Sequence, residues 1–261
     1  GMLLNGGQLV LMPEQQLLDP VLLKQEIRLR GVTRMWFTAS WFNQLTDDDA
    51  TIFEGLQAIL VGGEKLSETH IRKFLSVHPE ITVINGYGPT ENTTFSLTHP
   101  IHSLEEGQRI PIGRPLANRT AYVLNSQQQL MPIGIPGELY VGGAGVSRGY
   151  HHQDALTSER FIADPFSEIP GARLYRTGDR TRWLPDGTIE YLGRIDDQVK
   201  IRGYRIEPGE IERALNSLSE VATSCVLVKE QPGTGKKLMG YFIPEAAEIR
   251  QREEALYLQQ V

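Results

Sequence analysis

Three short segments of this 261-residue chain combine residue types that could act on a phosphorylated ligand. The first, Asn85-Gly86-Tyr87-Gly88-Pro89-Thr90-Glu91, follows a run of β-favouring residues. Its glycines permit a close backbone approach to a ligand. Tyr87 offers a flat face for a purine ring. Thr90 brings a hydroxyl for a phosphate, and Glu91 a carboxylate for Mg²⁺. A tight Gly-Pro turn with a helix-capping threonine would carry the same residues. The second, Tyr175-Arg176-Thr177-Gly178-Asp179, sets an aspartate after a strand, where it can accept both hydroxyls of a ribose; an ordinary Asp in a glycine turn reads the same way. The third, residues 193–206, alternates cations that include Arg194 and Lys200. They suit phosphates, and equally the solvated face of an edge strand. A further stretch, residues 137–150, is glycine-rich but lacks the lysine-ended pattern of a phosphate loop, and reads mainly as backbone packing.

The elements that must position these residues differ along the chain. Asp19-Pro20 is an N-cap followed by a first-turn proline, predicting a helix over 21–30, with Gly31 as its C-cap. Strands are expected at 33–37, 57–61 and 81–84. Helices at 39–45 and at 68–77, the latter capped by Ser67, alternate with them. This β-α-β-α-β order predicts a parallel or mixed sheet covered by helices. The middle of the chain predicts short strands at 121–124, 137–142, 173–175, 180–184 and 188–192, with Pro185-Asp186-Gly187 as a hairpin turn. This β-rich subdomain is expected to form a distorted barrel or a second sheet. The last part predicts a small α+β lobe, with strands at 198–202, 221–229 and 237–243, a helix at 208–218 and a charged helix at 247–260. The boundary between the two parts is placed at 194–197.

Composition sets the outer bounds. The hydrophobic fraction of 40% supports a normal globular core. The formal net charge of -6, without blocks of like charge, calls for neither nucleic acid nor an anionic membrane. Apolar runs such as 58–61 are far too short to span a bilayer, and no secretory leader opens the chain. A single cysteine, Cys225, fits a reducing cytoplasm.

Taken in order, the segments resemble the core motifs of adenylate-forming enzymes, and more narrowly the adenylation domains of nonribosomal peptide synthetases. Val61-Gly62-Gly63-Glu64, Ile112-Gly113-Arg114-Pro115 and residues 85–91, 137–150, 175–180 and 193–212 carry the resemblance, which extends to about Pro244. It implies a partial adenylate-forming fold: residues 1–195 as the C-terminal portion of a large core, then 196–261 as part of a small lobe that turns about Asp196. It implies a two-step reaction, in which an amino-acid carboxylate attacks the α-phosphate of ATP and the acyl group then passes to the phosphopantetheine thiol of a carrier domain. ATP contacts fall to Gly62, Gly63, Glu64, Asn85, Gly86, Tyr87, Gly88, Thr90, Asp179, Tyr191 and Arg194. Tyr87 is expected on the adenine face and Asn85 at its edge. Thr90 is expected at the α-phosphate, Glu91 at Mg²⁺, Asp179 on the ribose, Tyr191 beside the nucleoside and Arg194 at ribose or phosphate. Lys200 matches a lysine associated with thioester formation.

The same resemblance assigns a substrate pocket to Trp36, Leu60, Gly62, Gly86, Thr94 and Phe95, none of them charged. This set resembles a valine-type pocket. Residues 156–166 resemble the stretch clasped by small MbtH-like helper proteins, and read also as a surface helix before a proline turn. The charged stretch 245–261 resembles the entry to an N-methyltransferase inserted in some modules. The family's upstream phosphate loop, its aspartate for the substrate amine and its C-terminal lysine are absent from these 261 residues, so this polypeptide alone is expected to form little aminoacyl-adenylate. The rivals are an acyl- or aryl-CoA ligase of the same superfamily and a non-catalytic scaffold.

Overall fold

The computed structural model describes residues 3–201, 204–231 and 235–245. The chain divides into two compact units, the first ending at Ile195 and the second beginning at Asp196. The expected helix at 247–260 and the end of the strand at 198–202 lie outside the described residues.

The first unit opens with helices α1 (Glu14–Leu18) and α2 (Pro20–Leu29), then strand β1 (Arg34–Thr38), α3 (Ala39–Asp49), β2 (Ala58–Gly62), α4 (Glu68–Val77) and β3 (Thr82–Tyr87). The caps explain why the helices start where they do. Asp19 Oδ1 accepts from the Val21 and Leu22 amides at 2.9 and 3.1 Å, satisfying donors that the first turn leaves open. Thr38 and Ser67 do the same for α3 and α4.

Strands β1, β2 and β3 run parallel in that order, with Thr38, Gly62 and Gly86 side by side at their carboxyl ends. Both crossovers step the same way, and right-handed crossovers then put both helices on the same face. Phe37, Ile59, Val61 and Val83 point to that face and are buried with Phe42 of α3 and Phe74 of α4. Phe53 meets Phe37 and Phe74 edge-on, with ring centroids 5.4 and 5.1 Å away. Alternation sends Trp36, Leu60, Gly62 and Gly86 to the opposite face.

The sheet continues antiparallel through β4 (Leu97–Ile101) and β5 (Arg114–Pro115), two strands that the sequence reading did not anticipate. A second sheet follows, built from β6 (Arg119–Leu124) and β7 (Gly137–Gly143); after α5 (Asp154–Arg160) it gains β8 (Phe161–Ala163), β9 (Arg173–Trp183) and β10 (Ile189–Arg194). Its strand path runs β10-β9-β7-β6 with β8 beside β9, a second sheet, as one of the two expected forms. The two short strands expected at 173–175 and 180–184 are one strand, β9. Gly178, at φ +72°, absorbs the irregularity without ending the pairing with β7.

The second unit comprises the hairpin β11 (Val199–Ile201) and β12 (Tyr204–Ile206), helix α6 (Pro208–Asn216) and the hairpin β13 (Val221–Gln231) and β14 (Gly235–Pro244). Glu212 on α6 accepts from the Val226 amide at 2.7 Å, tying the helix to β13. No helix among the described residues is long and apolar enough to cross a membrane.

Candidate active site

The carboxyl ends of parallel strands are where open α/β sheets bind ligands, and the chemistry-bearing segments gather there. Beyond β3, Thr90-Glu91-Asn92 forms a single 3-10 turn, followed by Thr93 and Thr94 at φ +54° and +59°. These left-handed values are uncommon for threonine and mark local strain. The turn is held from outside. Ser147 N donates to the Glu91 carbonyl at 2.8 Å, and Thr93 Oγ1 to the Gly145 carbonyl at 2.8 Å. The glycine-rich stretch read as packing is thus the clamp on this turn.

Glu91 is buried, yet its Oε1 accepts from two phenols: Tyr150 Oη at 2.6 Å and Tyr175 Oη at 2.9 Å. Burial, reinforced by the bond to Glu91, pushes the Tyr150 phenol far above the ordinary tyrosine range, so it stays a donor. Thr90, beside it, is exposed.

A second cluster joins segments far apart in sequence. The Tyr87 hydroxyl donates to Asp179 Oδ2 across 92 positions. Arg194 Nη1 meets the other carboxylate oxygen at 3.0 Å and the Thr177 carbonyl at 2.9 Å. Thr177 Oγ1 accepts from the Asp179 amide at 3.0 Å, and Glu138 accepts from the Gly178 amide at 3.3 Å, so the Gly178 turn is fixed from both sides. Tyr87 and Tyr191 pack against the same apolar cluster. Burial first, then the Asp179 charge, raises the Tyr87 phenol well above its usual range.

Four of the expected pocket residues, Trp36, Leu60, Gly62 and Gly86, share the sheet face opposite α3 and α4. Trp36 is 48% exposed. Its ring meets Phe95 edge-on, centroids 6.5 Å apart. A Cβ on Gly86 would lie 2.5 Å from Phe95 Cε1, and one on Gly62 3.2 Å from the same atom. Phe95 therefore occupies the space the two glycines leave, with Leu60 in register between Trp36 and Ile84. Gly88 packs under the Thr94 carbonyl and the Ser96 amide, where no side chain fits.

Not every expected residue joins these clusters. Alternation puts Asn85 on the other sheet face from Gly62 and Gly86; it is buried, and its amide donates to the Pro111 carbonyl at 2.8 Å. Gly63 and Glu64 lie just past β2, Gly63 at φ +86°. Lys200 and Asp196 belong to the second unit. Lys200 pairs with Arg205 in the β11–β12 hairpin, and Asp196 accepts from the Gln198 amide at 3.3 Å. Sequence reasoning missed Tyr150 and Tyr175 as partners of Glu91. Both stand inside segments it singled out, but nothing in a linear pattern shows a phenol pointing inward.

Residues 1–151 match the family described as AMP-binding enzyme. The chain belongs to that family. It is similar to Tyrocidine synthase 3 of Brevibacillus parabrevis, with 51% identity over 96% of this chain and 4% of that protein. To Gramicidin S synthase 2 of Brevibacillus brevis it is 50% identical, over 94% of the chain and 5% of that protein. The chain therefore spans a small fraction of the length of these relatives. Among solved structures, it is similar to PA1221, an NRPS protein containing adenylation and PCP domains. In the holo form bound to a vinylsulfonamide inhibitor, the match covers 88% of this chain and 40% of that one, at 38% identity and a TM-score of 0.80. The chain is thus part of an adenylation domain of the nonribosomal peptide synthetase type, with a partial adenylate-forming fold, as its motifs imply.

Proposed function

We propose that this region activates an amino acid with ATP, as aminoacyl-adenylate, and hands it to the phosphopantetheine thiol of a carrier domain. The observation that carries the reading is the meeting of Tyr87, Asp179 and Arg194 at the carboxyl end of the parallel sheet, with the Glu91 turn a few residues on. Asp179, oriented by Arg194, is a fixed acceptor for a ribose diol. Tyr87 and Tyr191 supply ring faces for the adenine, and Asn85, with one amide hydrogen on the Pro111 carbonyl, is assigned to its edge. The ATP contacts of Gly62, Gly63, Glu64, Gly86 and Gly88 are assigned from the family motifs, since Phe95 fills the space over Gly62 and Gly86 and the Thr94–Ser96 backbone covers Gly88. In the first step the substrate carboxylate attacks the α-phosphate and pyrophosphate leaves. Thr90 donates to the developing charge there, and Arg194 serves the ribose or phosphates.

Mg²⁺ takes one or two carboxylates together with substrate phosphates. Glu91, a hard oxygen donor fixed by two phenols, fits that part. When bound, the cation would neutralise phosphate charge. Lys200 and the hinge Asp196 are assigned to the second step, in which the small lobe turns to admit the thiol.

The pocket favours valine. Trp36 and Phe95 give apolar walls, and with Leu60, Thr94, Gly62 and Gly86 none of the six could pair a charged side chain, which would be left desolvated. Discrimination from isoleucine rests on one methylene, about 1–3 kcal/mol, so some leakage is expected. Residues 156–166 are proposed as a surface for an MbtH-like helper. Phe166 there is half-exposed and stacks on Tyr122 at 4.6 Å.

The test is an intact-mass measurement of the carrier thiol after incubation of the full-length protein with ATP, Mg²⁺ and a mixture of amino, fatty and aryl acids. A valyl thioester is expected. A fatty or aryl product would favour the CoA-ligase rival; loading with a charged or aromatic amino acid would overturn the pocket assignment.

A further inference from the structure

Glu91 sits in an unusual setting for a group that must reach a bound metal. It is 8% exposed. Two phenols donate to the same oxygen, Oε1, and the two hydroxyls lie 3.3 Å from each other. Neither phenol belongs to the turn that carries Glu91. Tyr150 ends the glycine-rich stretch and Tyr175 stands in β9, so the three groups come from separate parts of the chain.

The phenols are themselves held. Thr157 Oγ1 on α5 accepts from the Tyr150 amide at 2.9 Å. Gly149, at φ +141°, packs so closely on Thr157 that a Cβ would lie 2.9 Å from Thr157 Oγ1. The Phe161 ring packs against both phenol rings, its centroid 5.4 Å from Tyr150 and 5.1 Å from Tyr175. Tyr175 is fully buried. Arg173 ties the Ser147 and Arg148 carbonyls down at 2.7 and 2.9 Å, and Ser147 in turn donates to the Glu91 carbonyl. Backbone and carboxylate of Glu91 are thus anchored by the same stretch.

A carboxylate turns about a broad, soft terminal torsion. Two donors on one oxygen remove that freedom and fix which way the other edge faces. Partners behind a ligating carboxylate commonly set metal affinity as strongly as this.

We propose that Tyr150 and Tyr175 are positioning residues that lock the Glu91 carboxylate in the orientation in which it meets the nucleotide-bound cation. The inference rests on the reading of Glu91 as the Mg²⁺ carboxylate. Simple satisfaction of a buried charge is the competing role, and the two roles differ in what they do to metal dependence. Under the positioning role, removing the hydroxyls weakens the metal step and spares metal-free nucleoside binding. Under the satisfaction role, only stability changes.

The test uses Tyr150→Phe, Tyr175→Phe and the double variant in the full-length protein, with Glu91→Gln alongside. Phenylalanine keeps the ring packing on Phe161. Two readouts are taken: calorimetric affinity for adenosine monophosphate without metal, and calorimetric affinity for ATP across a Mg²⁺ titration. The double variant should need about 10- to 100-fold more Mg²⁺ for half-maximal ATP binding, with adenosine monophosphate affinity unchanged and each single variant in between. An unchanged Mg²⁺ requirement in the double variant, against a raised one in Glu91→Gln, would overturn the positioning role alone. An unchanged requirement in Glu91→Gln would remove the metal reading of Glu91 and this inference with it. A double variant that loses thermal stability but keeps its Mg²⁺ requirement assigns the phenols to charge satisfaction and also overturns the proposal.

Discussion

At Asp179 two carboxylate oxygens hold partners from opposite directions in the sequence, Tyr87 upstream and Arg194 downstream. The Arg194–Asp179 pair is largely shielded from water, with side-chain exposures of 15% and 11%. Removing one partner of such a pair strands the other, at a cost of about 3–5 kcal/mol. Asp179→Ala should therefore lower unfolding stability by about that amount in urea titration, and weaken adenosine monophosphate binding. A variant as stable as wild type would mean that the pair contributes little. Tyr87 adds a pH signature. Its phenol is raised, by burial first and by Asp179 second, so the folded state keeps a proton that the unfolded chain releases near pH ~10. The stability this group contributes is complete below that pH and is lost as the pH climbs toward the folded value. Unfolding free energy should fall more steeply above pH ~10 in wild type than in Tyr87→Phe. Parallel curves would contradict the shift. The types of these residues, and the idea of a nucleotide near them, were legible in the sequence. Their pairing was not, because a contact across 92 positions leaves no local pattern.

Among elements, the α/β half was the most legible part. Caps at Asp19 and Ser67, and apolar runs in β1, β2 and β3, are local signals that tertiary packing reinforced. β4 escaped because Pro100 argues against a strand. It is tolerated because β5 pairs only with Leu97 and Thr98, leaving the Pro100 stretch at an edge. β9 was split in two because Gly178 reads as a turn, although its positive φ is accommodated as an irregularity within the β7–β9 pairing. The pocket floor depends on the fit between β2, β3 and the segment after the 3-10 turn. Gly86→Ala would set a Cβ 2.5 Å from the Phe95 ring, a rigid neighbour. Overpacking of this kind costs about 1–3 kcal/mol. The variant should melt earlier and lose the valine activation proposed for this region, and Phe95→Leu in the same chain should restore part of the stability, since contacting sites are not additive. Additive losses in the double variant would place Phe95 elsewhere.

Over the whole molecule, the order of motifs carried more than any one of them. Each segment has a bland reading as a turn, a packed glycine run or an edge strand. The structure brings Tyr87, Asp179 and Arg194 to one place and sets the Glu91 turn just beyond β3. Membership of the AMP-binding family and 51% identity to part of Tyrocidine synthase 3 agree with that order. Substrate choice is the least legible level, because the six residues proposed as the pocket would define a shape to within a methylene and no better. On the proposed function, this site couples ATP to an amino-acid carboxylate. The most direct measurement is amino-acid-dependent exchange of pyrophosphate into ATP by the full-length protein, run with each amino acid in turn and with Asp179→Ala as control. Exchange should require an amino acid, be highest with valine, and collapse in Asp179→Ala. Exchange independent of any amino acid, or undiminished in Asp179→Ala, would contradict that function.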